Sequence, residues 1–218
     1  MDELNKITDI SNVVYINLSF REDRKKHIEG QLNAVGFRRF ERFNAVNIKN
    51  GALGCSMSHL KCVEYAKKNN WSHVLICEDD TEFLEPEVFK KQLNTFLEKN
   101  HSWDVLLLAG NNMLPYFPND DASIRVMNCL TTTCYIVKTH YYDALIKNYN
   151  EGIMNLMKNP IDKDKYCIDK YWLHLQRKDK WYLLIPLNVI QREDYSDIEK
   201  KVTNFKRYML DYNKCIKR

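Results

Sequence analysis

No stretch of this 218-residue chain approaches the roughly 20 consecutive apolar residues that a membrane-spanning helix needs. The opening "MDELNKITDISNVVYINL" lacks the basic start and long apolar run of a secretion signal. From these two absences we expect action on the cytoplasmic side, with any membrane contact peripheral. Glycine is scarce, six in all, and "INLSFREDR" holds none, which argues against the Gly-rich phosphate loop of a nucleotidyltransferase. The seven cysteines, at 55, 62, 77, 129, 134, 167 and 215, never fall at C-x-x-C spacing. That excludes a zinc knuckle and a dithiol redox motif. Several lie in apolar runs and are expected as buried thiols of a reducing compartment. A surplus of one charge is missing too: 33 Lys and Arg against 29 Asp and Glu leave a net +4. The basic residues scatter over 24–27, 37–42 and 163–170, so no nucleic-acid partner is expected.

What is present is alternation of apolar runs with helical patterns. "NVVYINL" (12–18) is β-branched and apolar, the signature of a buried strand. A helix follows, with Ile28, Leu32 and Val35 at helical spacing and Gly36 as its stop. Strand-like "RRFERFNAV" (38–46) leads to a helix over 53–70 striped by Leu60, Val63 and Ala66. Then come a strand (72–78), a helix from Pro86 to 100, and a strand over 103–110. This order predicts an α/β fold with a mostly parallel central sheet flanked by helices. Beyond it we expect a loop over 111–121, strands at 123–128 and 131–138, and a helix from Thr139. A second helix (166–178) and a strand (181–191) interrupted by Pro186 follow. One domain over 1–218 is the simplest organisation, with halves of about 12–110 and 111–198. The polar tail, 199–218, is expected to be partly mobile.

One strand ends unusually. "VLICEDD" runs from three apolar residues and a cysteine into Glu78, Asp79 and Asp80. In an open α/β sheet, ligands bind beyond the carboxyl ends of the strands. Side chains alternate along an extended chain, which would put Glu78 and Asp80 on one side and turn Asp79 away. Two carboxylates on one side suit Mg²⁺ or Mn²⁺, which take oxygen ligands and stabilise a departing phosphate or diphosphate. A solvated loop, or capping ahead of Pro86, is the plainer alternative. Arg21 and Arg24 either neutralise phosphates or form a surface cluster with Glu22 and Asp23. Cys55, His59 and Cys62 have helical spacing that a soft metal could use.

Several blocks in order resemble glycosyltransferase family 25, the lipooligosaccharide-type and collagen-type galactosyltransferases. They are "VVYINLSFREDRKKHIEGQL", "ERFNAVN", "GALGCSMSHLKCVEYA", "VLICEDDTEF", "WDVLLLAG", "TTTCYIVKTHYYDAL", "IDKYW" and "PLNVIQREDYSDI", together spanning about residues 12–198. The family block accounts for Cys55 and His59 without zinc. The resemblance implies a GT-A-like single domain, Mn²⁺ or Mg²⁺ as cofactor, and inverting transfer from a UDP-sugar, usually UDP-galactose. The acceptor is a glycan, lipid-linked or protein hydroxyl, and segment 111–165 is expected to choose it. Asn17, Leu18, Arg21 and Arg24 would line the nucleotide pocket, and Ala45 and Val46 would sit near the base or ribose. Ser58, His59 and Lys61 would face the donor, and Asp79 would serve the diphosphate. Glu78 and Asp80 would hold the metal. Gln191 is the expected third ligand, in a region where collagen-type relatives carry a His, and Asp197 would help close the site. Inversion needs a general base for the acceptor hydroxyl. Asp169, an acid in the aromatic and apolar "CIDKYW", is the candidate, with a surface pair to Lys165 or Lys170 as the competing role. Tyr171 and Trp172 either stack on a sugar or pack in the core. A non-catalytic lectin-like or scaffold domain is the rival function.

Overall fold

A computed structural model of the protein describes residues 4–196 and 200–215. The chain order is β1 (Val13–Asn17), α1 (Glu22–Ala34), β2 (Glu41–Asn44), α2 (Gly51–Lys68), β3 (His73–Glu78), β4 (Thr81–Phe83) and α3 (Pro86–Lys99). The short strands β5 (Val105–Leu107), β6 (Asn111–Asn112), β7 (Tyr116–Asp120), β8 (Ser123–Val126) and β9 (Cys129–Leu130) follow. Then come β10 (Cys134–Lys138), α4 (Tyr142–Lys158), α5 (Lys163–Tyr166), α6 (Ile168–Tyr171), α7 (Leu173–Lys178) and β11 (Trp181–Leu184). The described chain closes with β12 (Val189–Gln191), β13 (Asp194–Ser196), β14 (Lys201–Thr203) and α8 (Lys206–Met209).

Eight strands form one sheet in the order β2-β1-β3-β10-β5-β11-β8-β7. It is mainly parallel in direction, with β10 and β8 running against the others. The antiparallel β10 stands between β3 and β5, so a strand from the later half of the sequence completes the sheet begun by the first half.

Alternation within each strand divides the apolar residues between two cores. Tyr15, Leu75, Leu106 and Ile136 face one side and meet Ile28 and Leu32 of α1 and Phe89, Leu93 and Phe96 of α3. Val14, Ile76, Leu107 and Val137 face the other and meet Val63 and Ala66 of α2 and Leu145 and Tyr149 of α4. Burial on both faces is why these strands read as continuous apolar runs. Gly36 follows α1 at φ 96°, a left-handed conformation glycine adopts without a Cβ penalty. The Asn50 side chain accepts the Leu53 N–H and caps α2.

Two expectations, over 111–121 and 166–178, are corrected. Segment 111–121 is not a loop: β6 and β7 occupy it, and β7 forms an exposed sheet edge whose polar residues and Pro118 hid it. The helix expected over 166–178 is three short pieces, because Cys167 is extended (φ −63°, ψ 154°) and the chain re-forms at Trp172. The last strand divides into β11 and β12 around Pro186, which cannot donate to a ladder. The described part of the tail is mostly exposed but touches the fold. Met209 is buried, its sulfur 3.3 Å from the Gln191 amide, and the Tyr212 carbonyl accepts from Asn112.

Candidate active site

Because β1, β2 and β3 are parallel, Asn17, Asn44 and Glu78 reach the same sheet edge. β10 begins there from the opposite direction, and the Glu78 amide donates to the Thr133 carbonyl at 2.8 Å. The β4–β12 ladder sets Gln191 opposite Thr81, next to the acids. Three consecutive carboxylates are thus surrounded by elements from across the sequence.

The expected alternation stops at Glu78. β3 ends there and Asp79-Asp80 is a turn, so the two aspartates share one side and Glu78 takes another. Arg24 Nη1 lies 3.0 Å from Asp79 Oδ1 and 3.1 Å from Asp80 Oδ2. Asn17 Nδ2 donates to Asp79 Oδ2 at 2.7 Å, and Gln191 Nε2 donates to Asp80 Oδ2 at 2.8 Å. Glu78 instead accepts from Thr132 Oγ1 at 2.6 Å, with His59 Nε2 at 3.1 Å and Cys55 Sγ at 3.7 Å.

Charge follows these partners. Burial, then the neighbouring Glu78 charge, pushes Asp80 up to about 7 against the pull of Arg24. Burial also raises Asp79, opposed by Arg24 and Asn17. Burial acts on Glu78 too, but the His59 and Thr132 contacts outweigh it and hold Glu78 below the usual carboxylate range. Asp80 Oδ1 is buried without a hydrogen-bond partner among the described residues.

Arg24 is more engaged than a phosphate ligand should be. Its Nε also meets Asp194 Oδ2 at 3.0 Å, and its Nη2 donates to the Tyr195 carbonyl at 3.0 Å. Arg21 pairs with Asp23 and Asp194. Arg192 joins the same Asp194 oxygen at 2.8 Å. Burial works against the Asp194 charge, yet hydrogen bonds from Arg192 and the Tyr195 amide, with the charge of Arg24, hold it far below the usual range. Arg24 still lines the smaller cavity, but carboxylates already engage both arginines, with Asp23 on Arg21 as in the surface-cluster alternative, so the expectation of free phosphate charges is narrowed. Lys61 is corrected as well, since it is solvent-exposed on α2 and lines neither cavity.

Two cavities meet at this edge. A smaller one, about 210 Å³, is bounded by Asn17, Leu18, Ala45, Val46, Ser58, His59 and the three acids. Ser58 Oγ accepts the Val46 N–H at 2.8 Å and fixes this wall. A Cβ on Gly54 would come within 2.5 Å of the Val46 carbonyl, so only glycine lets α2 approach it this closely. The larger cavity, about 660 Å³, holds Asp169, Thr131, Thr132 and Lys163. Cys55, Glu78, Gln191 and Ser196 border both.

Asp169 is half-buried on the larger cavity rather than sealed among aromatics. Thr131 N–H donates to its Oδ2 at 3.1 Å and Cys167 S–H to its Oδ1 at 3.1 Å. Trp172 is fully buried, its indole donating to the Cys129 carbonyl, so it belongs to the core. Asp197 lies outside the described residues. Sequence reasoning missed Thr132 and Asp194. The only signal for Asp194 was its place in "QREDYSD", beside the residues that were chosen.

The acids fit a hard cation on one observation, the unpartnered and buried Asp80 Oδ1 beside a second carboxylate. Such a ligand set would comprise Asp80, Asp79 and the side-chain oxygen of Gln191.

The sequence profile of glycosyltransferase family 25 (LPS biosynthesis protein) matches residues 47–216. No curated protein matches the sequence. Among solved structures, mannose-1-phosphate geranyltransferase from Thermus thermophilus is similar at 12% identity and TM-score 0.47, covering 80% of this chain and 73% of its own. A197 from STIV shows 12% identity and TM-score 0.45, covering 96% of this chain and 99% of its own. A glycosyltransferase involved in the glycosylation of the major capsid of PBCV-1 shows 9% identity and TM-score 0.43, covering 80% of this chain and 92% of its own.

Proposed function

The chain belongs to glycosyltransferase family 25, and from that premise we propose that this glycosyltransferase moves galactose from UDP-galactose to an acceptor hydroxyl with inversion. The acceptor is proposed to be a glycan, a lipid-linked saccharide or a protein. The observation that carries the site assignment is the buried aspartate pair at the carboxyl edge of the sheet, with Asp80 Oδ1 lacking a partner. Mn²⁺ or Mg²⁺, when bound, would neutralise the charge that develops on the departing diphosphate.

The chain's own residues do the rest. Arg24 and Asn17 hold Asp79, and Arg24 and Gln191 hold Asp80, so both carboxylates are oriented before any ligand arrives. Leu18, Ala45 and Val46 offer an apolar wall for the base and ribose. Asp169 accepts the acceptor proton: it lines the larger cavity, and the Thr131 amide fixes its carboxylate. Glu78 stands where the two cavities join, between donor side and acceptor side. His59 and Ser58 serve as supports, the first for Glu78 and the second for the Val46 wall.

A panel of UDP-sugars with Mn²⁺, scored by UDP release, tests this reading. UDP-galactose should be turned over, and Asp80→Asn should remove that turnover while the fold survives. Full activity of Asp80→Asn would sink the metal assignment. No hydrolysis of any UDP-sugar, together with no thermal shift on UDP plus Mn²⁺, would favour a lectin-like domain instead.

A further inference from the structure

Glu78 leads away from the aspartates to a different donor set. Cys55 and His59 lie four residues apart on α2 and so project from one helix face. Glu78, at the end of β3, completes the group in place of Cys62, which is fully buried in the core. One ligand atom from each of Cys55, His59 and Glu78 lies within 4.8 Å of the others. We propose that these three residues form a binding site for a borderline-soft divalent ion, Zn²⁺ by its chemistry, separate from the aspartate pair. This inference does not depend on the donor sugar or on catalysis.

The spacing supports it. Tetrahedral zinc holds sulfur, nitrogen and oxygen at about 2.0–2.3 Å, which sets its ligand atoms roughly 3.3–3.6 Å apart. Here the Sγ–Oε1 separation is 3.7 Å and the Nε2–Oε1 separation is 3.1 Å. The remaining pair lies within 4.8 Å.

The ring nitrogen turned away from the site is also provided for. His59 Nδ1 is 2.9 Å from Tyr135 Oη, which is 3.3 Å from Tyr149 Oη. Without an ion, Nε2–H faces Glu78 Oε1; when an ion takes that proton's place, Tyr135 Oη can accept from Nδ1–H, so the imidazole keeps a hydrogen-bonded second nitrogen. The His59 and Tyr135 rings also stack, with centroids 5.6 Å apart. Because Cys55 and Glu78 border both cavities, an ion has an entry path and a fourth coordination position open to solvent or ligand. Oxygen-only cations have no use for a thiol and an imidazole, so the ligand types separate this site from the aspartate pair. Binding displaces the Cys55 thiol proton to solvent as the thiolate forms.

The test uses the full chain, stripped with a chelator and titrated with Zn²⁺ against a chromophoric competitor. Co²⁺ in a parallel titration reports sulfur ligation through its thiolate-to-metal charge-transfer absorption. The expected result is one ion per chain and a charge-transfer band that Cys55→Ser abolishes. Cys215→Ser and Asp80→Asn should keep the band. Tyr135→Phe, which removes the partner of Nδ1, should weaken Zn²⁺ about 10- to 100-fold while keeping the band. Circular dichroism of the metal-free variants shows whether each still folds. The inference is overturned by a missing band in the folded parent, or by a band that survives Cys55→Ser. Loss of UDP-sugar turnover in Asp80→Asn with the band intact leaves this site standing, so failure of the transferase reading and failure of this one are distinguishable.

Discussion

Asp80 and Glu78 are two residues apart, the first buried and the second half-buried, and although burial raises both, their net shifts run in opposite directions. Asp80 shares Arg24 with Asp79 and, through the same guanidinium, with Asp194. Burial, then the neighbouring Glu78 charge, outweighs the guanidinium that Asp80 shares, and its affinity for a proton rises. Glu78 has no arginine of its own. It has a hydroxyl at 2.6 Å and an imidazole at 3.1 Å, both aimed at one oxygen, and it stays ionised. Directed donors, more than nearby formal charge, decide which of the two carboxylates keeps its charge. The aspartate pair is therefore the hungrier site for a hard cation, and the Glu78 pocket is the better organised one.

Removing the shared cation should disturb the comparison most. Arg24→Met leaves Asp79 and Asp80 buried without their cation, while Asp194 keeps Arg21 and Arg192, and should cost about 3–5 kcal/mol of stability by urea denaturation. A loss below about 1 kcal/mol would show that the cluster relaxes without it. Asp80→Asn should lower UDP-sugar turnover about 10²- to 10³-fold, the equivalent of a few kcal/mol of charge stabilisation. Its metal-free thermal midpoint at pH 8 should not fall, since an uncharged side chain replaces an under-compensated one.

The third test is pH. With its folded pKa raised to about 7, Asp80 keeps a proton that the unfolded chain has released. Its contribution to stability is thus present below the ordinary aspartate range and lost as pH rises through about 7. The metal-free protein should lose stability over that window, and Asp80→Asn should flatten the loss. An unchanged slope would mean that Arg24 compensates Asp80 after all.

On the other side of the comparison, Thr132→Val removes one directed donor from Glu78 and should cost about 1.5–3 kcal/mol, the range for hydrogen bonds to charged groups. Lys61→Ala should change neither turnover nor stability by more than about 0.5 kcal/mol, because the side chain stands in solvent on the outer face of α2.

Much of this was legible from residue pattern. β1 and β3 announced themselves as β-branched apolar runs because both faces are buried, and α1 and α2 because their stripes meet the sheet. The carboxyl-edge rule placed the acids at the sheet edge where the two cavities lie. Which acids act together was not legible, because side-chain alternation holds only while the chain is extended, and the chain turns at Asp79. Asp194 was invisible as the arginines' partner because its place depends on a contact spanning 170 residues of sequence. Edge strand β7 escaped because a solvated strand carries no apolar run. Cys55 and Glu78 become neighbours only through the packing of α2 on the sheet, and nothing in "GCSMSH" or "ICEDD" refers to the other.

The position of β10 has a consequence for how the chain is made. β1, β2 and β3 are complete by residue 78 and β5 by residue 107, yet β3 and β5 are joined only through residues 134–138. A nascent chain emerging from the ribosome must therefore carry two unjoined pieces of sheet, with unpaired edges at β3 and β5, until the joining strand appears. Stalling or truncation inside that interval would leave both edges open to pairing with other chains. Synthesis past Lys138 closes the β3 edge and one side of β5, whose other side waits for β11.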